Sequence, residues 1–222
     1  MELVFIRHGK TKGNMQSRYI GTTDEGLCKE GINELRNNKV IYPKADIVFT
    51  SPMKRCIQTA EVIYPGIEKL NIIDEFREID FGEFEGKNYI ELDGNRKYQE
   101  WIDSGGRIPF PGGEDRKKFA RRCINGFNKA LDICKRMYLA GILKDNSVAA
   151  FIVHGGTIMS IMEAFVESNG KNSGTDTYFK YQCSNGHGYI CGFGMGTGKN
   201  KLDISSFPEF CTHWEITYKY TL

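Results

Sequence analysis

Two histidines stand where a short apolar run gives way to glycine: Arg7-His8-Gly9 follows Leu3-Val4-Phe5-Ile6, and His154-Gly155-Gly156 ends the run that begins at Val148. Such a run reads as a buried strand entering a loop, and α/β folds place their ligands in the loops beyond the carboxyl ends of parallel strands. Thr11 and Asn14 follow His8 closely and add short hydrogen-bonding side chains. A third place of this kind is Thr50-Ser51-Pro52-Met53-Lys54-Arg55, where serine and proline stand in the order of an N-cap and a first-turn proline. That order puts Arg55 in the first turn of a helix, where a cation opposes the helix dipole. An anionic ligand would account for it, and so would pairing with Glu61 or Asp80. One strand-end histidine is commonly structural. Two of them, with Arg7 and Arg55, form a cationic pocket able to grip a dianionic phosphate through bidentate contacts. The helix expected to open at Gly155 adds unpaired N–H groups and partial positive charge.

Bringing these residues to one edge demands a particular scaffold. Strands are expected at residues 3–6, 47–50, 70–73 and 148–153, each followed by a polar or glycine-rich turn. Between them lie helical patterns at 27–40 and from the Ser51-Pro52 step onward. In the latter, Met53, Cys56, Ile57, Ala60 and Ile63 share one face and Pro65-Gly66 stops the helix. A longer helix spans 114–140, with Phe119, Cys123, Phe127, Ala130, Leu131, Cys134 and Met137 keeping the 3.6-residue period, and a fourth begins just after His154. This alternation predicts a three-layer α/β/α architecture around a mostly parallel central sheet. Residues 85–113 break the rhythm, being polar and aromatic among glycines and prolines, and read as a small cap inserted over the sheet. Its Tyr89, Tyr98, Trp101 and Phe110 would either stack on a planar organic group or pack the cap down. From Phe179 onward come glycine-studded extended segments. Gly192, Gly194, Gly196 and Gly198 suit a hairpin turn better than a nucleotide loop, because no helical pattern and no lysine-serine pair follow. The alternation of 213–220 suggests an edge strand.

With 222 residues, 40% hydrophobic, 12% aromatic and 26% charged, the chain can bury a sizeable core in one domain spanning 1–222. Disorder and collagen-like repetition are excluded. Thirty Lys+Arg against 28 Asp+Glu give +2, and the basic residues are scattered, so no nucleic-acid partner is called for. Apolar stretches fall far short of the roughly 20 residues of a membrane span. No secretory leader is read at the amino terminus, and the expectation is a cytoplasmic protein without a membrane partner. The seven cysteines are odd in number and contain no C-x-x-C pair, which fits reduced thiols. Cys183, His187 and Cys191 recur at every fourth position, with Cys211 and His213 beyond, as zinc ligands can. Ligands four apart on a strand are about 13 Å from each other, so core cysteines are the better reading.

The string Leu3-Val4-Phe5-Ile6-Arg7-His8-Gly9-Lys10-Thr11-Lys12-Gly13-Asn14 resembles the opening signature of the histidine phosphatase superfamily, the phosphoglycerate mutase-like fold. Four further strings agree in order and spacing: 50–60 from Thr50 through Arg55 to Ala60, 76–86 around Glu78, Pro111-Gly112-Gly113-Glu114, and Val153-His154-Gly155-Gly156. The likeness covers residues 1 to about 165 and is loose beyond. It implies that His8 is the nucleophile, that Arg7, Arg55 and His154 clamp the phosphoryl oxygens, and that Glu78 is the proton donor and acceptor. Asn14, the Gly155 N–H, Thr11, Arg18 and Gly21 would complete the cradle. Neither a metal nor a cofactor is implied, and the partner is a small phosphorylated metabolite. Gly26-Leu27-Cys28 stands where relatives often have Pro-Leu-Thr, and Phe84 where a tryptophan is frequent. Lys10 replaces a usual acid or glutamine, which would bias the site towards acidic substrates. The family contains phosphomonoester phosphatases and phosphoglycerate mutases. The arginine-rich string of cofactor-dependent mutases has no counterpart between Gly86 and Pro111, which favours a phosphatase similar to the branch of α-ribazole and broad-specificity phosphatases. A non-catalytic phosphate-binding scaffold would be expected to have lost one of the catalytic residues, and all are present.

Overall fold

The computed structural model describes residues 1–37, 42–165 and 178–193, together with the backbone of 203–206. Its strands are β1 (Glu2–Arg7), β2 (Ile47–Thr50), β3 (Leu70–Ile72), β4 (Val148–Val153), β5 (Gly188–Gly192) and β6 (Asp203–Ser206). The helices are α1 (Lys12–Met15), α2 (Lys29–Asn37), α3 (Lys54–Ile63), α4 (Arg96–Asp103), α5 (Arg116–Leu139) and α6 (Gly155–Phe165). One sheet runs β3-β2-β4-β1-β5-β6. Its first four strands are parallel, and β5 and β6 extend it antiparallel beside β1.

Alternation along each strand separates two cores. Phe5 and Phe151 stack at 4.9 Å and Phe49 and Phe151 at 5.1 Å, a ladder of rings across β1, β4 and β2. Phe127 of α5 packs on it at 5.5 Å from Phe151, with Phe119, Ile158 and Ile161 of α5 and α6 alongside. On the opposite face Val4, Ile6, Val48, Ala150 and Ile152 meet Cys56 and Ala60 of α3. This is the α/β/α layering that the alternating pattern predicts, with a mixed, mostly parallel sheet.

Local details differ from the sequence pattern where side chains find other uses. Helix α3 starts at Lys54 with Met53 as its cap residue and no side-chain cap bond. Ser51 is not the N-cap: its hydroxyl meets His154 at 2.8 Å and accepts only from the Met53 N–H, at 3.4 Å, ahead of the helix. Helix α5 starts at Arg116, since Asp115 caps it by accepting from the N–H groups of Lys117 (2.9 Å) and Lys118 (3.0 Å). Leu27 lies outside α2, bridged to Thr11. The expected continuation of α2 to Val40, the glycines from Gly194 to Gly198, Cys211 and the strand at 213–220 lie outside the described residues. Cys183 and Cys191 are buried in the core, and the ring of His187 meets the Asn185 carbonyl at 2.9 Å.

Within 85–113, α4 contributes Tyr98 and Trp101 to an aromatic group with Tyr19, Phe84 and Phe110. Trp101 stacks on Phe110 at 4.9 Å, and Phe84 meets Tyr98 edge-on at 5.3 Å. Among the described residues no helix is long and apolar enough to cross a membrane.

Candidate active site

Strands β1 and β4 pair in register, Arg7 opposite Val153, so the residues that follow leave the sheet side by side. His8 and His154 consequently face each other with ring centroids 5.2 Å apart and planes at 68°. Both are buried. The Nδ1 of His8 lies 2.8 Å from the Gly9 carbonyl. A carbonyl only accepts, so Nδ1 carries the proton and Nε2 keeps its lone pair. Burial, then the charges of Arg55 and Arg7, hold the His8 pKa well below its usual value, against the opposing pull of the Gly9 carbonyl. Burial likewise lowers that of His154, helped by Arg55, His8 and Arg7.

Arg55 is 1% exposed. It is held by carbonyls and a ring nitrogen rather than by Glu61 or Asp80: Nη1 donates to Thr23 O (2.9 Å), Nη2 to Gly21 O (3.0 Å) and Nε to His154 Nδ1 (3.3 Å). These partners hold the cation without neutralising it, so its field remains available to an anion. Arg7 donates through Nη1 to Cys183 O at 2.8 Å. Its Nε is buried without a partner among the described residues, and the guanidinium packs against Gly155.

Glu78 accepts from the Ile79 N–H at 3.0 Å. Burial raises its pKa, and the Ile79 N–H, Arg55 and Arg7 only partly offset this. Gly156 leaves room for this carboxyl, since a Cβ there would lie 2.6 Å from Glu78 Oε1 and displace it.

A cavity of about 300 Å3 joins these groups, with Arg7, His8, Asn14, Arg18, Glu78 and Gly155 on its wall. Six aromatic rings, Tyr19, Phe81, Trp101, Phe110, Tyr178 and Phe179, also line it. Arg55 and His154 sit behind the wall, His154 against the His8 ring. Asn14 Oδ1 accepts from Thr11 N and from Asn185 Nδ2, each at 3.2 Å. The guanidinium of Arg18 is engaged bidentately by Glu91 at 2.6 and 2.8 Å.

Four expected contacts are placed elsewhere. Thr11 is fully buried, and its hydroxyl accepts from Asn14 N at 3.2 Å to cap α1, so it shapes the loop from behind. The N–H of Gly21 is taken by Glu85 at 2.9 Å while its carbonyl receives Arg55, which makes it a support for that arginine. Tyr89 is 61% exposed and away from the cavity, because the turn that carries it faces solvent; Trp101 and Phe110 line the wall instead. Lys10 is paired with Glu34 of α2 at 2.7 Å and does not line the cavity.

Several residues at the site escaped the sequence reading. Asn185 Nδ2 donates to His8 O at 2.9 Å from 177 residues away. Arg116 stacks on Tyr178 at 3.9 Å on the cavity wall. Glu85 secures the N–H groups of Gly21 and Thr23. The neighbouring Glu85-Gly86 string was a usable signal for Glu85, whereas Asn185 and Arg116 have no local signature.

Residues 3–185 match the histidine phosphatase superfamily (branch 1). A 2,3-bisphosphoglycerate-dependent phosphoglycerate mutase of Parvibaculum lavamentivorans is 30% identical over 72% of this chain and 77% of its own. Phosphoserine phosphatase 1 of Hydrogenobacter thermophilus is 30% identical over 57% of this chain and 62% of its own. Among solved structures, the α-ribazole phosphatase of Shigella flexneri is similar in fold, with a TM-score of 0.72 over 93% of this chain and 95% of that one at 19% identity. With the match extending from β1 through α6 to Asn185, the chain belongs to the histidine phosphatase superfamily, branch 1.

Proposed function

We propose that the protein is a phosphomonoester phosphatase that works through a phosphohistidine and takes a small organic phosphate. The observation that carries this reading is the His8 ring, whose Nδ1 is engaged by the Gly9 carbonyl at 2.8 Å, leaving Nε2 as a nucleophile. Nε2 attacks phosphorus and the bond from phosphorus to the ester oxygen breaks. The Glu78 carboxyl gives its proton to the departing oxygen. Water then attacks the phosphohistidine, its proton passes to Glu78, and phosphate and neutral His8 are released. The cycle needs neutral His8 and protonated Glu78 together, the reverse of their ordinary order of titration. Burial moves both in the required direction, His8 down and Glu78 up.

Arg7 and Arg55, with Asn14 and the Gly155 N–H, take the roles of phosphoryl clamp; His154, expected beside them, has both ring nitrogens engaged, by Ser51 and by Arg55, and acts by holding Arg55. One lost donor of this kind costs on the order of 10²- to 10³-fold in rate. Trp101 and Phe110 would meet the organic part of the substrate, which favours a flat or apolar leaving group. We read 1–222 as one domain with 85–113 as its cap, acting in the cytoplasm. A substrate such as α-ribazole 5'-phosphate agrees with the name of the Shigella flexneri neighbour and with the aromatic wall; broad specificity agrees equally.

A mutase is the second reading, supported by the 30% identity to the Parvibaculum lavamentivorans enzyme. It differs only in giving the phosphoryl group to a substrate hydroxyl rather than to water. The deciding experiment is initial-rate hydrolysis of a phosphomonoester panel in EDTA, with isomerisation of 3-phosphoglycerate in the presence of its bisphosphate cofactor assayed alongside. Phosphate release that vanishes in His8→Ala supports the phosphatase. Isomerisation without net release supports the mutase, and inactivity in both assays supports a non-catalytic phosphate-binding scaffold.

A further inference from the structure

Ser51 takes no part in the steps above, yet it is fully buried and its Oγ lies 2.8 Å from His154 Nε2. It is the first residue beyond β2, and its N–H donates to Ile152 O of β4 at 3.1 Å, so its backbone is locked beside the strand that delivers His154. The opposite ring nitrogen, Nδ1, lies 3.3 Å from Arg55 Nε. A guanidinium Nε always carries its hydrogen. Nδ1 is therefore the accepting nitrogen, and the single proton of the neutral ring sits on Nε2 and is donated to Ser51 Oγ. A buried Nε2–H without such an acceptor would favour the other tautomer, which would set an N–H against the N–H of Arg55.

We infer that Ser51 is a positioning residue: by accepting from Nε2 it fixes the orientation and tautomer in which the His154 Nδ1 lone pair holds Arg55 Nε. This inference rests on the phosphatase reading for its catalytic consequence, since Arg55 is there a phosphoryl clamp. The effect is transmitted in three links, from hydroxyl to imidazole to guanidinium. The Thr23 and Gly21 carbonyls hold the far side of the same guanidinium, so the imidazole decides its remaining freedom. Cys56 Sγ also approaches Nε2, at 3.6 Å, but a thiol is a weak acceptor and cannot replace the hydroxyl.

The test is long-range 1H–15N correlation spectroscopy of histidine-labelled protein near neutral pH, together with steady-state kinetics. Wild type is expected to show His154 as the Nε2–H tautomer, and Cys56→Ala to leave that signature in place. Ser51→Ala should shift His154 towards the Nδ1–H form and lower kcat by about tenfold to a hundredfold, with a smaller change in KM. Ser51→Thr keeps the hydroxyl and should restore both. A wild-type His154 protonated on Nδ1 would overturn the inference even if no variant folds. So would Ser51→Ala with the wild-type tautomer and kcat within about twofold. The tautomer is read without substrate, so a wild type that hydrolyses nothing overturns the phosphatase reading and leaves the Ser51 bond to be decided by the spectrum.

Discussion

Replacing Glu85 should disable the site although its carboxylate does not line the cavity. Both of its oxygens accept from Gly21 N, at 2.9 and 3.1 Å, and Oε1 also accepts from Thr23 N at 3.0 Å. The same loop supplies the carbonyls that hold Arg55, Gly21 O and Thr23 O with Ile20 O more distant at 3.4 Å. Hydrogen bonds to a charged group contribute about 1.5–3 kcal/mol each, and a half-buried carboxylate belongs at the lower end. Losing both N–H partners in Glu85→Ala should therefore cost about 3 kcal/mol of stability, and Glu85→Gln, which keeps one accepting oxygen, about 1–1.5 kcal/mol. The loop that relaxes is the one that orients Arg55, and misplacing a clamp by an ångström costs up to about 10²-fold in rate. Urea melts give the stabilities, and hydrolysis of p-nitrophenyl phosphate in EDTA gives kcat. The expected order is wild type, then Gln, then Ala in both measurements. An alanine variant within about 0.5 kcal/mol and about twofold of wild type would refute the chain of support from Glu85 to Arg55.

Three further outcomes are expected. His8 and His154 have folded pKa values below the unfolded 6.5, so below that pH the unfolded chain takes up protons that the folded chain refuses. Their contribution is full above pH 6.5 and is lost as pH falls towards the folded values, at up to ~1.4 kcal/mol per pH unit for each ring. Glu78, raised above 4.5, works in the opposite sense, adding stability as pH falls through its folded value. Urea midpoints measured from about pH 7 to about pH 5.5 should decline, and less steeply in His8→Ala; a flat wild-type profile would contradict neutral buried rings. Gly21→Ala would set a Cβ 1.9 Å from the Ile79 carbonyl, so it should destabilise by at least about 1–3 kcal/mol and reduce kcat through Arg55, as melts and kinetics would show. Trp101→Leu should raise KM for phenyl phosphate severalfold and leave that for glycerol phosphate nearly unchanged; equal effects on both would assign Trp101 to packing alone.

The short apolar runs determined the parallel strands β1 to β4 and, through them, the meeting of His8 with His154. Their alternation sets which residues face each core, and strands paired in register must release their next residues side by side. Arg55 in the first turn of α3 and Glu78 were equally legible, the first from the step out of β2 and the second from the resemblance of its string. What holds these groups was not legible. Arg55 is gripped by carbonyls 32 and 34 residues before it, Asn185 reaches His8 from across the chain, and Ser51 meets an imidazole 103 residues away at 2.8 Å while only loosely engaging the Met53 N–H at 3.4 Å. The aromatics divided in the same way, since only the packing of α4 sent Trp101 to the cavity and left Tyr89 in solvent. Periodicity records a choice each segment makes alone between burial and exposure. The partners of a buried polar group are chosen by every element that closes over it, and that choice exists only once the chain has folded.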